Sequence, residues 1–93
     1  MSERVLIRKP SNEELEKLGV SDWPIWEKGI SEFDWYYDEP ETFYVIEGEV
    51  EVSIEGDGEV RFGAGDLVTF KSGTKCTWRV LKPIRKHYHF GEV

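Results

Sequence analysis

The sequence is poor in the residues that build disulfides, zinc knuckles and membrane spans. Cys76 is the only cysteine among 93 residues, so the chain forms neither an internal disulfide nor a zinc knuckle. There is no run of about 18 apolar residues, which a membrane-spanning helix requires. Residues 1–4 lack the apolar stretch of a signal peptide, so we expect a cytoplasmic protein with no membrane partner.

Basic residues are also in the minority. Twelve Lys and Arg stand against 19 Asp and Glu, which gives a formal net charge of −7. An acidic surface repels phosphate backbones, so we expect no nucleic-acid partner. Aromatic residues make up 14% of the chain, too many for a disordered segment. The length suits a single domain spanning residues 1–93.

Local patterns predict one helix followed by many short strands. A strand is predicted over residues 4–9, and the helix after it begins at Ser11, has Glu14 three residues later as in a capping box, and ends at Gly19. Apolar and polar residues then alternate between glycine-rich turns. The strands predicted there are 23–28, 33–37, 42–47, 49–55, 59–62, 67–70, 75–82 and 84–90, with Gly48 and Pro83 as breaks. This pattern is typical of an all-β sandwich or small barrel.

The spacing of several of these residues resembles the cupin family. The first cupin motif, G-x5-H-x-H-x3-E-x6-G, is matched in spacing by Gly29, Trp35, Tyr37, Glu41 and Gly48. The second, G-x5-P-x-G-x2-H-x3-N, is matched by Gly65, Lys71, Gly73, Cys76 and Val80. The resemblance covers residues 29–80. It implies a cupin-type double-stranded β-helix, a jelly-roll barrel that often holds a metal, here with one short N-terminal helix.

The residues at the cupin ligand positions depart from that pattern. Trp35 and Tyr37 replace the two histidines of the first motif, and Cys76 replaces the histidine of the second. Indole cannot ligate a metal, and the remaining Glu41, Cys76 and Tyr37 phenolate are a poor set for hard metals and an incomplete one for zinc. We therefore expect no metal cofactor. The alternative is a divalent metal, manganese or zinc, with ligands drawn from Glu41, Cys76, His87 and His89.

Within the cupins, the chain is most similar to small proteins of the ureidoglycine-aminohydrolase-like group (DUF861, or cupin_3). Residues 23–26, 33–38 and 85–88 carry this resemblance. It implies a homodimer and a pocket lysine, for which Lys86 is the candidate. It also raises the alternative function of a metal-dependent hydrolase acting on a ureido or amino-acid-derived substrate.

Period-two alternation predicts which side chains enter the barrel. Trp35, Tyr37, Glu41 and Phe43 share one face, and Cys76 and Trp78 share another inward face. We therefore predict a small-molecule pocket floored by Glu41 and Cys76, with Lys86 as a third catalytic candidate and with ligand contacts from Trp35, Tyr37, Phe43 and Trp78. Both residues also have a purely structural interpretation. Glu41 could be a buried carboxylate whose hydrogen bonds are made by neighbouring side chains, and Cys76 could be an inert buried thiol.

The C-terminal strand contains an H-x-H pair whose direction decides whether a metal site is available. His87 and His89 alternate with Tyr88 and Phe90, and the aromatic parity is the better candidate for the interior, which turns both histidines outward. The sequence thus favours a cupin that binds or turns over a small polar metabolite without the usual metal. A metal-dependent hydrolase and a protein-interaction module with a filled barrel remain the alternatives.

Overall fold

The computed structural model describes residues 3–93, which form seven strands and one α-helix. The strands are β1 (Val5–Arg8), β2 (Ile25–Lys28), β3 (Ser31–Tyr37), β4 (Glu41–Ile54), β5 (Gly58–Gly63), β6 (Leu67–Phe70) and β7 (Thr74–Phe90). The helix α1 spans Asn12–Leu18, and a 3₁₀ turn covers Val20–Asp22. The predicted strand at 23–28 therefore begins only at Ile25, because the 3₁₀ turn and Pro24 occupy its first part.

Helix α1 has the ends that its sequence predicts. The Ser11 side chain accepts a hydrogen bond from the backbone N–H of Glu14 at 3.2 Å, which satisfies one of the unpaired amides of the first turn. Gly19 ends the helix with φ of 70°, a left-handed conformation that glycine adopts without steric cost. Among residues 3–93, no helix is long and apolar enough to cross a membrane.

All strand pairs are antiparallel, and the two long strands β4 and β7 organise them. The strand order is β1-β6-β4-β7-β2, with β3 added to β7 and β5 added to β4. The first part of β4 pairs with β6 and its second part with β5; likewise β7 pairs first with β3 and later with β2. The seven strands thus form one continuous sheet whose two halves share the long strands β4 and β7, in agreement with the jelly roll predicted from the cupin resemblance.

Gly48 and Pro83 bend strands rather than end them, contrary to the prediction of four separate strands. The β4–β7 register shifts between Val45 and Val50, opposite Pro83. Gly48 has φ of 111°, and a Cβ built on it would lie 2.6 Å from the Pro83 carbonyl oxygen and from Ile84 Cα. The backbones therefore approach too closely for any side chain. A bulge of this kind turns a barrel corner without breaking the strand pair.

The core lies between the two halves of the sheet, and charged residues cover the outside of one half. The most completely buried side chains are Phe43, Val45, Val50, Val52, Val68, Phe70, Trp78, Val80 and Ile84. Outside, Arg79 lies 3.2 Å from Glu32 and 2.9 Å from Glu51, and Glu51 also contacts Arg61. This row of ion pairs crosses four strands.

Candidate functional site

A cavity of about 180 Å³ opens at one end of the barrel, and its walls are almost entirely aromatic. Four strands supply its lining: β2 (Trp26), β3 (Phe33, Trp35, Tyr37), β4 (Glu41) and β7 (Trp78, Lys86, Tyr88, Phe90). An apolar concave site with a few polar groups is the usual form of a small-molecule pocket.

Strand register explains why these residues meet. Trp26 is the pairing partner of Lys86, and Phe33 is the partner of Trp78. Glu41 pairs with Phe90 at the start of β4. Lys86, Tyr88 and Phe90 are alternate residues of β7, so they share one face of the strand, and all three line the cavity.

A buried ion pair provides the main polar feature of the cavity. Lys86 Nζ lies 2.8 Å from Glu41 Oε2, and the two side chains are only 6% and 9% exposed. The same ammonium lies 3.8 Å from the centre of the Phe43 ring and 5.0 Å from those of Trp26 and Trp78. Burial lowers the pKa of Lys86, and the neighbouring Glu41 partly offsets that effect. Glu41 and the ring faces therefore stabilise a cation in a largely dry site.

Two further polar groups lie beside this pair. The indole Nε1 of Trp78 is buried and has no hydrogen-bond partner within residues 3–93. Burial, reinforced by the charge of Glu41, raises the pKa of Tyr37 well above its usual value of 10. The Tyr37 phenol therefore stays protonated at neutral pH, which argues against a phenolate ligand for a metal.

Cys76 lies apart from the cavity, so the predicted floor of Glu41 and Cys76 is not formed. Its thiol lies on a neighbouring depression that also includes Trp35 and Tyr36, and it donates a 3.6 Å hydrogen bond to the Trp35 carbonyl. Burial raises the pKa of Cys76 to about 11. A thiol that is protonated at neutral pH is a weak nucleophile and a weak metal ligand.

The structure brings together most of the predicted pocket residues and adds others. Trp35, Tyr37, Glu41, Trp78 and Lys86 line the cavity, whereas Phe43 is fully buried beneath the Lys86 ammonium. The additional lining residues are Trp26, Phe33, Tyr88 and Phe90. The alternation in β7 already indicated the last two, but Trp26 and Phe33 depend on which strands pair with β7.

The two histidines of β7 face away from the cavity, as predicted from their alternation with the aromatic residues Tyr88 and Phe90. His87 Nδ1 donates a hydrogen bond to the Trp23 carbonyl at 2.8 Å. His89 stacks on the Trp23 ring with the ring centres 5.0 Å apart. The alternative ligand set of Glu41, Cys76 and the two histidines is therefore not brought together. No three His, Cys, Asp or Glu side chains form a candidate metal cluster anywhere in residues 3–93.

The side chains present do not fit the metal that a cupin fold implies. Trp35 and Tyr37 occupy two ligand positions of the first motif, and an indole has no lone pair to donate. The Glu41 carboxylate is already paired with Lys86, whose ammonium would repel a metal cation. Neither the donor set nor the local charge therefore suits a divalent ion.

Comparisons with known proteins identify relatives of this chain. Residues 15–88 match the model of the EutQ-like cupin domain, Cupin_3. A DUF861 family protein from Thermotoga maritima is 54% identical, with a TM-score of 0.92, and the match covers 94% of this chain and 99% of that one. The Clostridium difficile EutQ protein is 26% identical, with a TM-score of 0.65, and the match covers 92% of this chain and 66% of that one. No curated protein matches this chain significantly.

Proposed function

Because the chain belongs to the EutQ-like cupin family, we propose that it is a small-molecule-binding cupin that uses its aromatic cavity without the usual metal. The ligand is a small polar metabolite. Glu41 and Lys86 contact its polar groups, and Trp35, Tyr37 and Trp78 enclose the rest of it.

The observation that carries this proposal is the ion pair at the cavity wall. Removing two charges from water is expensive, and an apolar pair of similar volume is often at least as stable. Glu41 and Lys86 nevertheless both border an open cavity whose other walls are aromatic. Polar groups that converge in an apolar pocket fix the orientation of a ligand, which gives the pair a role beyond stability.

The metal-dependent hydrolase is less well supported, because the residues at the ligand positions do not suit a metal. Turnover without a metal would depend on proton exchange at Lys86 and Glu41, the charged side chains of the cavity. Binding requires only the contacts that are present, so it is the function we propose. If the protein is instead an interaction module with a filled barrel, ring compounds should not bind in the cavity.

The test compares two variants on neighbouring positions of β3. Trp35 lines the cavity and is 50% exposed, while Tyr36 is 54% exposed and does not line it. We expect Trp35→Ala to weaken the binding of single-ring compounds, measured by calorimetry, and Tyr36→Ala to leave it unchanged. Equal effects of both variants would contradict the proposal. Elemental analysis of purified protein should find well under one metal ion per chain; one ion that survives dialysis would overturn the metal-free part.

We also propose that the protein is a cytoplasmic homodimer. Leu6 and Ile7 on the outer strand β1 are 53% and 37% exposed, and apolar side chains at a sheet edge favour contact with a second copy. Light scattering should give a mass of about twice the 10.9 kDa chain. A monomer at micromolar concentration would contradict this part.

A further inference from the structure

We propose, resting on the proposed function, that the cavity selects a planar ring that carries a hydrogen-bond donor and an acceptor on adjacent atoms, as on the edge of a cyclic amide. The acceptor would meet Lys86 and the donor would meet Glu41. The inference rests on the size of the cavity, its charge balance and its unpaired donor.

The volume of the cavity limits the enclosed part of the ligand to about one ring. An apolar cavity of about 150 Å³ holds one benzene molecule. The cavity here measures about 180 Å³, which leaves room for a six-membered ring and one or two substituents. Aromatic walls favour a flat ligand, because offset-stacked and edge-to-face ring pairs are attractive.

The ion pair disfavours ligands with a net charge. Lys86 and Glu41 neutralise each other at 2.8 Å, so an anion would bring a second negative charge close to Glu41, and a cation would meet the Lys86 ammonium. A neutral ring with an adjacent C=O and N–H can contact both partners without separating them. Its dipole then matches that of the pair, with the acceptor toward the ammonium and the donor toward the carboxylate.

The unsatisfied indole strengthens the case for an acceptor on the ligand. Trp78 lines the cavity, and its buried Nε1–H makes no hydrogen bond within the part of the chain that the structure describes, although the Tyr37 hydroxyl and the Cys76 thiol lie near it. A buried donor without a partner costs free energy that a ligand or water oxygen would recover. A ring that offers only donors would leave this group unsatisfied.

The experiment measures the affinity of the unmodified protein for five small probes by calorimetry. 2-Pyridone carries the adjacent C=O and N–H. 4-Methyl-2-pyridone keeps that edge, and 1-methyl-2-pyridone has the same size but lacks the donor. Benzoate and benzylammonium are charged rings of similar size. We expect both edge-bearing pyridones to bind at least about tenfold more tightly than the 1-methyl compound, the loss expected for one hydrogen bond to a charged group.

Each result decides between the inference and its alternatives. Equal affinity for the 1-methyl and 4-methyl compounds, or tighter binding of either charged ring, would overturn the inference while leaving the proposed function standing. Absence of binding by all five probes at millimolar concentration would overturn both. In Glu41→Gln, provided that its circular dichroism matches that of the parent, the preference for the 4-methyl over the 1-methyl compound should shrink, because a neutral amide oxygen is a weaker acceptor for the ligand N–H than a carboxylate; an unchanged preference would also contradict the inference.

Discussion

The ion pair between Glu41 and Lys86 makes the sharpest prediction about stability. Glu41→Gln keeps the shape of the side chain but removes its charge, and it leaves an ammonium that is nearly fully buried. Breaking a buried pair by removing one partner typically costs about 3–5 kcal/mol. The glutamine oxygen can still accept a hydrogen bond from Lys86, and three aromatic rings still contact the ammonium. We therefore expect a loss of about 2–3 kcal/mol in the free energy of unfolding.

The pH dependence of that loss tests its cause. The pKa of Lys86 is near 10.5 in the unfolded chain and is lowered in the folded protein. Between these two pKa values the unfolded state binds more protons than the folded state, so the free energy of unfolding rises with pH. Without Glu41 the pKa of Lys86 in the folded protein falls further, so the pH range over which stability rises becomes wider. The deficit of Glu41→Gln should therefore be larger at pH 6 than at pH 9.

The assay is urea unfolding followed by tryptophan fluorescence. A double-mutant cycle with Lys86→Met supplies the control, because the loss in the double variant should be smaller than the sum of the two single losses. An unchanged or increased stability of Glu41→Gln at pH 7, or strictly additive losses, would refute the reasoning, since either result means that the two side chains do not form a coupled pair.

Three further predictions concern the thiol, the barrel corner and the helix cap. The pKa of Cys76 is raised from 9.0 to about 11 in the folded protein, so the contribution of the buried thiol to stability is complete below pH 9 and is lost as the pH rises toward 11. Cys76→Ala should therefore reduce the fall in the free energy of unfolding over this alkaline range, measured by urea titration. An unchanged fall would contradict the prediction. Gly48→Ala should lower the free energy of unfolding by about 3 kcal/mol or more, because the new Cβ would overlap the Pro83 carbonyl. Gly56 also has a positive φ, 76°, but has open space around it, so Gly56→Ala should cost only about 1 kcal/mol. Similar losses in the two variants would refute the close-contact argument. Ser11→Ala should lower stability by about 1 kcal/mol through the lost cap, measured by thermal unfolding, and no change in Tm would show that the cap contributes nothing.

Local sequence patterns were enough for the features that depend on near neighbours. The cap at Ser11 and the left-handed Gly19 follow from residues within one turn of the helix. The outward direction of His87 and His89 follows from strict alternation in a strand. The cupin fold was implied by the resemblance of the glycines and Glu41 to the family motifs in spacing, and residues 15–88 match the family model.

The tertiary structure decided the features that depend on strand pairing. Gly48 and Pro83 bend long strands instead of ending them, because each lies opposite the other across the β4–β7 pair. Cys76 is inward by parity yet lies outside the cavity, since parity gives the direction of a side chain but not its depth along the barrel axis. The pairing of Glu41 with Lys86, 45 residues apart, exists only because the first residues of β4 run beside the end of β7.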